Sequence, residues 1–136
     1  MDRFAPDFVR VNIANGDMVG HTGDLAATIA AMEAVDAGLG RLLAEVERLG
    51  GAALVTADHG NADQMFRLDS STGVYSDTPL TSHSLNAVPL FLFEPGGVRR
   101  LARQPNASLG NVAATALELL GFEPPEGYLP SLLERP

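Results

Sequence analysis

The sequence contains no cysteine and no lysine, and its nine basic residues are all arginine. Without cysteine there is no disulfide, iron–sulfur or thiolate–zinc site, so any bound metal must have oxygen and imidazole ligands. The formal net charge of -8 argues against a nucleic-acid-binding surface, because a phosphate backbone is met by clustered Lys and Arg. No apolar stretch reaches the roughly 18 to 20 residues that span a bilayer, and no leader pattern opens the chain. These absences predict a cytoplasmic protein that binds neither nucleic acid nor membrane.

The first half of the chain has the pattern of a β-α-β unit. Its 136 residues are enough for one globular core and too few for two, so residues 1–136 form one domain or part of one. Phe8–Ile13 is a short apolar run that predicts a buried strand. Apolar residues at spacings of three and four between Gly23 and Gly50 predict a long helix whose apolar face packs in the core. A second buried strand follows at Ala52–Thr56, and in such a unit both strands end at one edge of a parallel α/β sheet.

The second half is less regular. Residues 67–84 are polar and turn-rich and predict a hairpin or excursion, and Val88–Phe93 predicts a third strand. Leu109–Gly121 predicts an amphipathic helix with Ser108 as its N-cap and Gly121 as its stop, followed by a proline-containing tail. Three strands are few for an independent α/β domain, so we expect part of the domain to be missing.

The three histidines all lie in short polar motifs. His21 follows Asp17 by four residues, a spacing that lets one helical turn or a loop aim both side chains at one ion. His59 directly follows Asp58, and only a turn lets these two serve one metal or two neighbouring metals. Each pair alone is also compatible with a solvated surface pair.

His83 is the third histidine and lies between Ser82 and Ser84. A loop histidine hydrogen-bonded to one of these serines is the alternative to metal ligation. Taken jointly, the acidic and imidazole side chains suit a two-metal centre, which stabilises the attacking and leaving oxygens of an in-line phosphoryl displacement. Phosphoryl transfer is therefore the predicted reaction class.

Four segments in a fixed order carry a more specific signal. They are Asp7–Gly23 (DFVRVNIANGDMVGHTG), Val55–Asp63 (VTADHGNAD), Leu80–His83 (LTSH) and Leu109–Thr115 (LGNVAAT). Together they resemble the C-terminal portion of the cofactor-independent phosphoglycerate mutases, of the alkaline phosphatase superfamily. The resemblance covers nearly the whole chain and is strongest in the first segment. It implies an α/β fold, the C-terminal part of an alkaline-phosphatase-like parallel-sheet sandwich that is incomplete without N-terminal segments.

The same resemblance implies the ligands of two manganese ions. Asp17, His21 and His83 would hold one ion, and Asp58 and His59 would contribute to the second. In that family an upstream Asp and the transiently phosphorylated serine also hold the second ion, and a separate domain binds phosphoglycerate. We expect residues 1–136 to be a C-terminal part of the metal-binding domain that lacks these segments, because none of its serines has the pattern of the nucleophile.

The expected function is the interconversion of 2-phosphoglycerate and 3-phosphoglycerate in glycolysis through a phosphoserine intermediate. The complete enzyme is expected to be a monomer, and the present chain alone is expected to be inactive. Another phosphotransferase of the superfamily, such as a phosphopentomutase, is one alternative. A metal-binding fragment without catalysis is another.

Overall fold

The computed structural model describes residues 6–134 and has an α/β composition. The α/β class expected from the sequence is confirmed. The elements are α1 (Asn15–Gly20), α2 (Leu25–Arg48), β1 (Ala53–Thr56), β2 (Phe66–Leu68), β3 (Tyr75–Pro79), β4 (Leu90–Phe93), a 3-10 turn (Leu109–Asn111) and α3 (Val112–Leu119).

The chain divides into two compact units. One unit comprises the residues up to Val11, Val46–Val55 and the residues from Leu90 onward. The other comprises Asn12–Glu45 and Thr56–Pro89, and it contains all three histidines. The candidate site is therefore built within the second unit.

The predicted strand at Phe8–Ile13 is wrong. The structure assigns no strand there, and Phe8, Val9, Val11 and Ile13 are exposed. A strand needs a neighbour to receive its backbone hydrogen bonds, and the described residues form only the pairs β1 with β4 and β2 with β3. The predicted β-α-β unit accordingly lacks its first strand.

The long helix is confirmed as α2, but the packing predicted for its apolar face is wrong. Thr28 is the helix's only buried residue in the described chain. Some side chains along α2 are half-buried, whereas several large residues of its apolar face are exposed. The helical period still follows from the sequence, but the described residues do not cover this face. The exposed members are Leu25, Ile29, Met32 and Leu42.

The polar segment between the second and third motifs forms the predicted hairpin. β2 and β3 pair antiparallel, with Phe66 opposite Pro79 and Leu68 opposite Tyr75. Asp69 closes the turn by accepting hydrogen bonds from the backbone N and the hydroxyl of Ser71 at 2.8 and 2.6 Å. β4, the predicted third strand, begins directly after Pro89, a residue that cannot donate a backbone hydrogen bond to a neighbouring strand.

In the first unit, α3 and the proline-containing tail are joined by hydrogen bonds. Thr115 is fully buried, and its hydroxyl donates to the Asn111 carbonyl and accepts from the Leu132 backbone N. Asn111 also donates from its side chain to the Pro130 carbonyl at 2.7 Å. Gly121 ends the helix with a φ of 83°, the left-handed conformation that favours glycine at this position. Ser108 precedes the helix as predicted, with its backbone N donating to the Asn111 side chain.

Among residues 6–134, no helix has both the length and the apolar character needed to cross a membrane.

Candidate metal centre

Helix α1 places Asp17 and His21 on one side of a single helical turn. The backbone N of His21 donates to the Asp17 carbonyl at 3.1 Å, so the two residues are one turn apart. Their side chains face each other, with 3.2 Å between Asp17 Oδ1 and His21 Nε2. The spacing of four residues therefore places the two side chains together on one helical turn, as expected from the sequence.

His83 completes a group of three ligand atoms although it is 62 residues from His21 in the chain. Its Nε2 lies 3.0 Å from Asp17 Oδ1 and 3.1 Å from His21 Nε2. Metal–nitrogen and metal–oxygen bonds of about 2.0–2.2 Å place neighbouring ligand atoms roughly 3.0–3.5 Å apart in octahedral or tetrahedral shells. The three observed separations fit that range, and Asp17, His21 and His83 form the candidate metal-ligand group.

The contact made by the other ring nitrogen of His21 determines the tautomer of the imidazole and the direction of its free lone pair. His21 Nδ1 lies 2.6 Å from the carbonyl oxygen of Thr81, which can only accept a hydrogen bond. In the neutral ring Nδ1 therefore carries the proton, and Nε2 has a free lone pair directed toward Asp17 and His83. This arrangement, with the far nitrogen donating to a backbone carbonyl, is the usual one for metal-binding histidines.

Asn61 holds the carboxylate of Asp17. Its Nδ2 donates to Asp17 Oδ1 at 2.9 Å and to the Asp17 carbonyl at 3.3 Å, and Asn61 is only 6% exposed. The Asn61 hydrogen bond is the largest cause that lowers the pKa of Asp17 below 3.8, and the three nearby imidazoles contribute further. The carboxylate is thus ionised and oriented near neutral pH, as a metal ligand requires.

His59 joins the same cluster through its ring. It stacks on His83 with 3.6 Å between the ring centroids and an interplanar angle of 17°. His59 Nδ1 is buried, has no hydrogen-bond partner and lies 4.0 Å from Asp17 Oδ1. Because this buried nitrogen has no hydrogen-bond partner, it would be free to act as a ligand of a bound cation.

Asp58 lies at the edge of the cluster. Its carboxylate is 86% exposed, and its Oδ1 is 3.6 Å from His59 Nε2. The structure thus brings Asp17, His21 and His83 together with His59 beside them, and leaves Asp58 facing outward. The backbone bends at Asp58 and His59.

Two groups that the sequence analysis did not assign to the site are part of it. Asn61 lies in the second motif without an assigned role, and its amide contacts Asp17. The Thr81 carbonyl is a backbone group, and no side-chain motif reveals which carbonyl a histidine will face. The position of Asn61 two residues after His59 was the only available signal.

The chain belongs to the metalloenzyme superfamily, whose sequence profile matches residues 2–124. The donor set described above, one ionised carboxylate and two imidazoles, agrees with this membership because it suits a divalent metal.

The individual relatives narrow the comparison to phosphoglycerate mutases. A probable 2,3-bisphosphoglycerate-independent phosphoglycerate mutase of Leptospira interrogans is 50% identical over 134 residues, which is 94% of this chain and 24% of the relative. The 2,3-bisphosphoglycerate-independent phosphoglycerate mutase of Trypanosoma brucei brucei is 48% identical over 136 residues, 94% of this chain and 25% of the relative. These matches confirm the resemblance inferred from the four motifs.

A solved structure shows the same likeness in three dimensions. The crystal structure of Leishmania mexicana phosphoglycerate mutase at low cobalt concentration matches with a TM-score of 0.87 and 47% identity. The match covers 94% of this chain and 25% of that one. The present chain therefore spans about a quarter of the length of the proteins it matches.

Proposed function

We propose that this chain is the C-terminal, metal-binding part of a phosphoglycerate mutase that interconverts 2-phosphoglycerate and 3-phosphoglycerate. The observation that carries the proposal is the convergence of Asp17, His21 and His83, with donor separations of 3.0 to 3.2 Å, in a chain similar to such mutases. The proposed domain covers residues 1–136, and the serine nucleophile and substrate-binding groups belong to other parts of the longer enzyme.

Asp17, His21 and His83 would hold one divalent ion. Asp17 supplies a charged oxygen whose direction is set by Asn61, and His21 supplies a lone pair whose direction is set by the Thr81 carbonyl. His83 supplies the third donor from the opposite loop. Bound divalent ions would polarise the phosphoryl group and stabilise the oxygens that attack and leave.

Asp58 and His59 would contribute to the second ion. The buried His59 Nδ1 has no partner and lies 4.0 Å from Asp17 Oδ1, and the exposed Asp58 carboxylate lies 3.6 Å from His59 Nε2. Because the Asp58 side chain is outside the cluster, it could bind the second ion together with ligand residues from another segment of the longer enzyme. Phosphoryl transfer through a phosphoserine would then take place on a serine that these residues do not include.

Manganese is the metal we propose for both sites, since carboxylate and imidazole donors suit it and the motif resemblance implies it. The structure of the Leishmania mexicana relative was determined at low cobalt concentration, so cobalt is a suitable experimental probe. We further propose a role in glycolysis, a cytoplasmic location and a monomeric complete enzyme. These follow from the resemblance and from the cysteine-free, acidic composition.

A chimera tests the proposed function. The matching segment of the Leptospira interrogans relative is replaced by residues 1–136, and interconversion of the two phosphoglycerates is assayed with Mn²⁺ present. We expect turnover by the chimera, none by the isolated chain, and a loss of about a hundredfold or more for H83A in the chimera. Pentose phosphates serve as the alternative substrates and should not react.

The control is D69N in the same chimera, because Asp69 lies in the β2–β3 turn and is not one of the candidate metal ligands. It should leave turnover unchanged. A folded, metal-loaded chimera without turnover, or full activity of the H83A chimera, would contradict the proposal.

A further inference from the structure

The loop that carries His83 has little regular structure of its own. Residues 80–89 form neither helix nor strand, and Leu85 within them is fully exposed. An exposed loop of this kind is held in place only by the hydrogen bonds at its edges. The position of the His83 ring therefore depends on a small number of identifiable contacts.

The first contact joins this loop to the turn that follows His59. The Ser84 backbone N donates to the Gly60 carbonyl at 2.9 Å, and the two residues form an isolated antiparallel bridge. The approach is so close that a Cβ on Gly60 would overlap the Ser84 hydroxyl and the Asp63 carboxylate. The residue next to His83 is thus packed directly on the residue next to His59.

The second contact is made by the Asp63 carboxylate. It accepts a hydrogen bond from the Ser84 hydroxyl, at 3.0 Å to Oδ2 and 3.2 Å to Oδ1. It also accepts one from Asn86 Nδ2 at 2.6 Å, and Asn86 in turn donates to the Gln64 side chain at 3.1 Å. One carboxylate therefore holds residues on the C-terminal side of His83 at two points.

We propose that Asp63 is a positioning residue for His83, and that it fixes the His83 imidazole against His59 and Asp17 through Ser84 and Asn86. Hydrogen bonds to an ionised carboxylate are about twice as strong as neutral ones, which makes Asp63 a strong hold on the C-terminal side of His83 in an otherwise exposed loop. The metal-affinity part of this inference rests on the proposed function. The position of the ring does not.

The substitution D63N tests the proposal with little change in shape. The new amide has one oxygen acceptor and one NH₂ group where the carboxylate has two charged acceptors, so the charge-assisted hydrogen bonds from Ser84 and Asn86 are lost and the hold on the loop weakens. D69N is the matched control, because Asp69 also accepts from a serine hydroxyl and lies in the same unit. The double substitution D63N/N86D exchanges donor and acceptor and should restore the contact.

The first measurement is made without metal. The His59 and His83 rings stack at 3.6 Å, so each ring shifts the proton resonances of the other in an NMR spectrum. We expect D63N to move the ring signals of both histidines, D69N to leave them in place, and D63N/N86D to return them. Unchanged ring signals in folded D63N would overturn the proposal, whatever the metal does.

The second measurement is a titration with Co²⁺ followed by calorimetry and visible absorption. Loss of a residue that orients a ligand typically weakens metal binding by 10 to 100-fold, and we expect about that for D63N. D69N should stay within about twofold of the wild-type chain. If both proteins bind Co²⁺ measurably, equal affinities of D63N and wild type would also overturn the proposal. If wild type itself binds no Co²⁺ while D63N moves the ring signals, the proposed function fails and the positioning role stands.

Discussion

The Asn61 side chain donates a hydrogen bond of 2.9 Å to the carboxylate of Asp17, across 44 residues of sequence. This bond joins the turn that carries His59 to the helix that carries His21. It makes Asn61 a residue of the site although amides are poor metal ligands beside carboxylates and imidazoles.

The substitution N61A should weaken metal binding and raise the pKa of Asp17. The Asn61 hydrogen bond is the largest cause that keeps this pKa below its ordinary value, so its removal moves the pKa upward. Loss of the orienting contact should reduce Co²⁺ affinity by about 10 to 100-fold. Carboxyl NMR titration and calorimetry measure the two effects. N106A, in an exposed turn, is the control and should change neither.

A pair of glycine substitutions in helices should have opposite effects. Alanine is favoured over glycine in a helix by about 1 kcal/mol, so G38A in α2, where a Cβ meets nothing within 4 Å, should stabilise the protein by up to that amount. G20A in α1 should instead destabilise it and weaken Co²⁺ binding, because its Cβ would overlap the Asn61 amide that holds Asp17. Urea denaturation and calorimetry test both. Stabilisation by G20A with unchanged affinity would show that Asn61 is not confined as described.

Glu94 and Arg99 should make stability depend on pH. The Glu94 carboxylate accepts two hydrogen bonds from Arg99, one from the side-chain Nε at 2.8 Å and one from the Arg99 backbone N at 2.9 Å. The Arg99 hydrogen bonds lower the pKa of Glu94 below 4.5 in the folded state. A lowered folded-state pKa contributes stability that is complete above 4.5 and is lost as the pH falls through the lowered value.

E94Q should therefore be less stable than wild type at pH 7, and the difference should shrink as the pH falls below 4.5. Thermal unfolding at a series of pH values measures it. E126Q, which alters an exposed glutamate of the same unit, is the control. A difference between E94Q and wild type that is constant from pH 7 to strongly acidic pH would contradict the assignment.

Core and surface apolar residues should respond very differently to truncation. Leu132 is 5% exposed beside the buried Thr115, so L132A should cost about 2–5 kcal/mol of unfolding free energy. Ile29 is 51% exposed on α2, and I29A should cost less than about 1 kcal/mol. Chemical denaturation compares the two. A large cost for I29A would mean that the apolar face of α2 is covered in solution.

Local sequence pattern was enough to predict the long helix, the hairpin and the end of the last helix, but not which residues are buried. The helical period of α2, the hairpin between β2 and β3, and the stop at Gly121 follow from short-range chemistry, and each is present. The grouping of Asp17, His21 and His83 was implied by the resemblance of their motifs to the phosphoglycerate mutases, and the donor atoms of the three residues lie together in the structure. The segment Phe8–Ile13 and the apolar face of α2 were expected in a core, yet they are exposed. Burial depends on which partners surround a segment, and sequence periodicity shows only which face is apolar.

A Mn²⁺ titration of the wild-type chain and of D17A, H21A and H83A, followed by calorimetry, tests the central claim most directly. The account predicts one ion bound through these three residues, with affinity lost in each variant and retained in D69N. Each variant is checked for folding by circular dichroism. Absence of binding by the folded wild-type chain, or wild-type affinity in H83A, would contradict it.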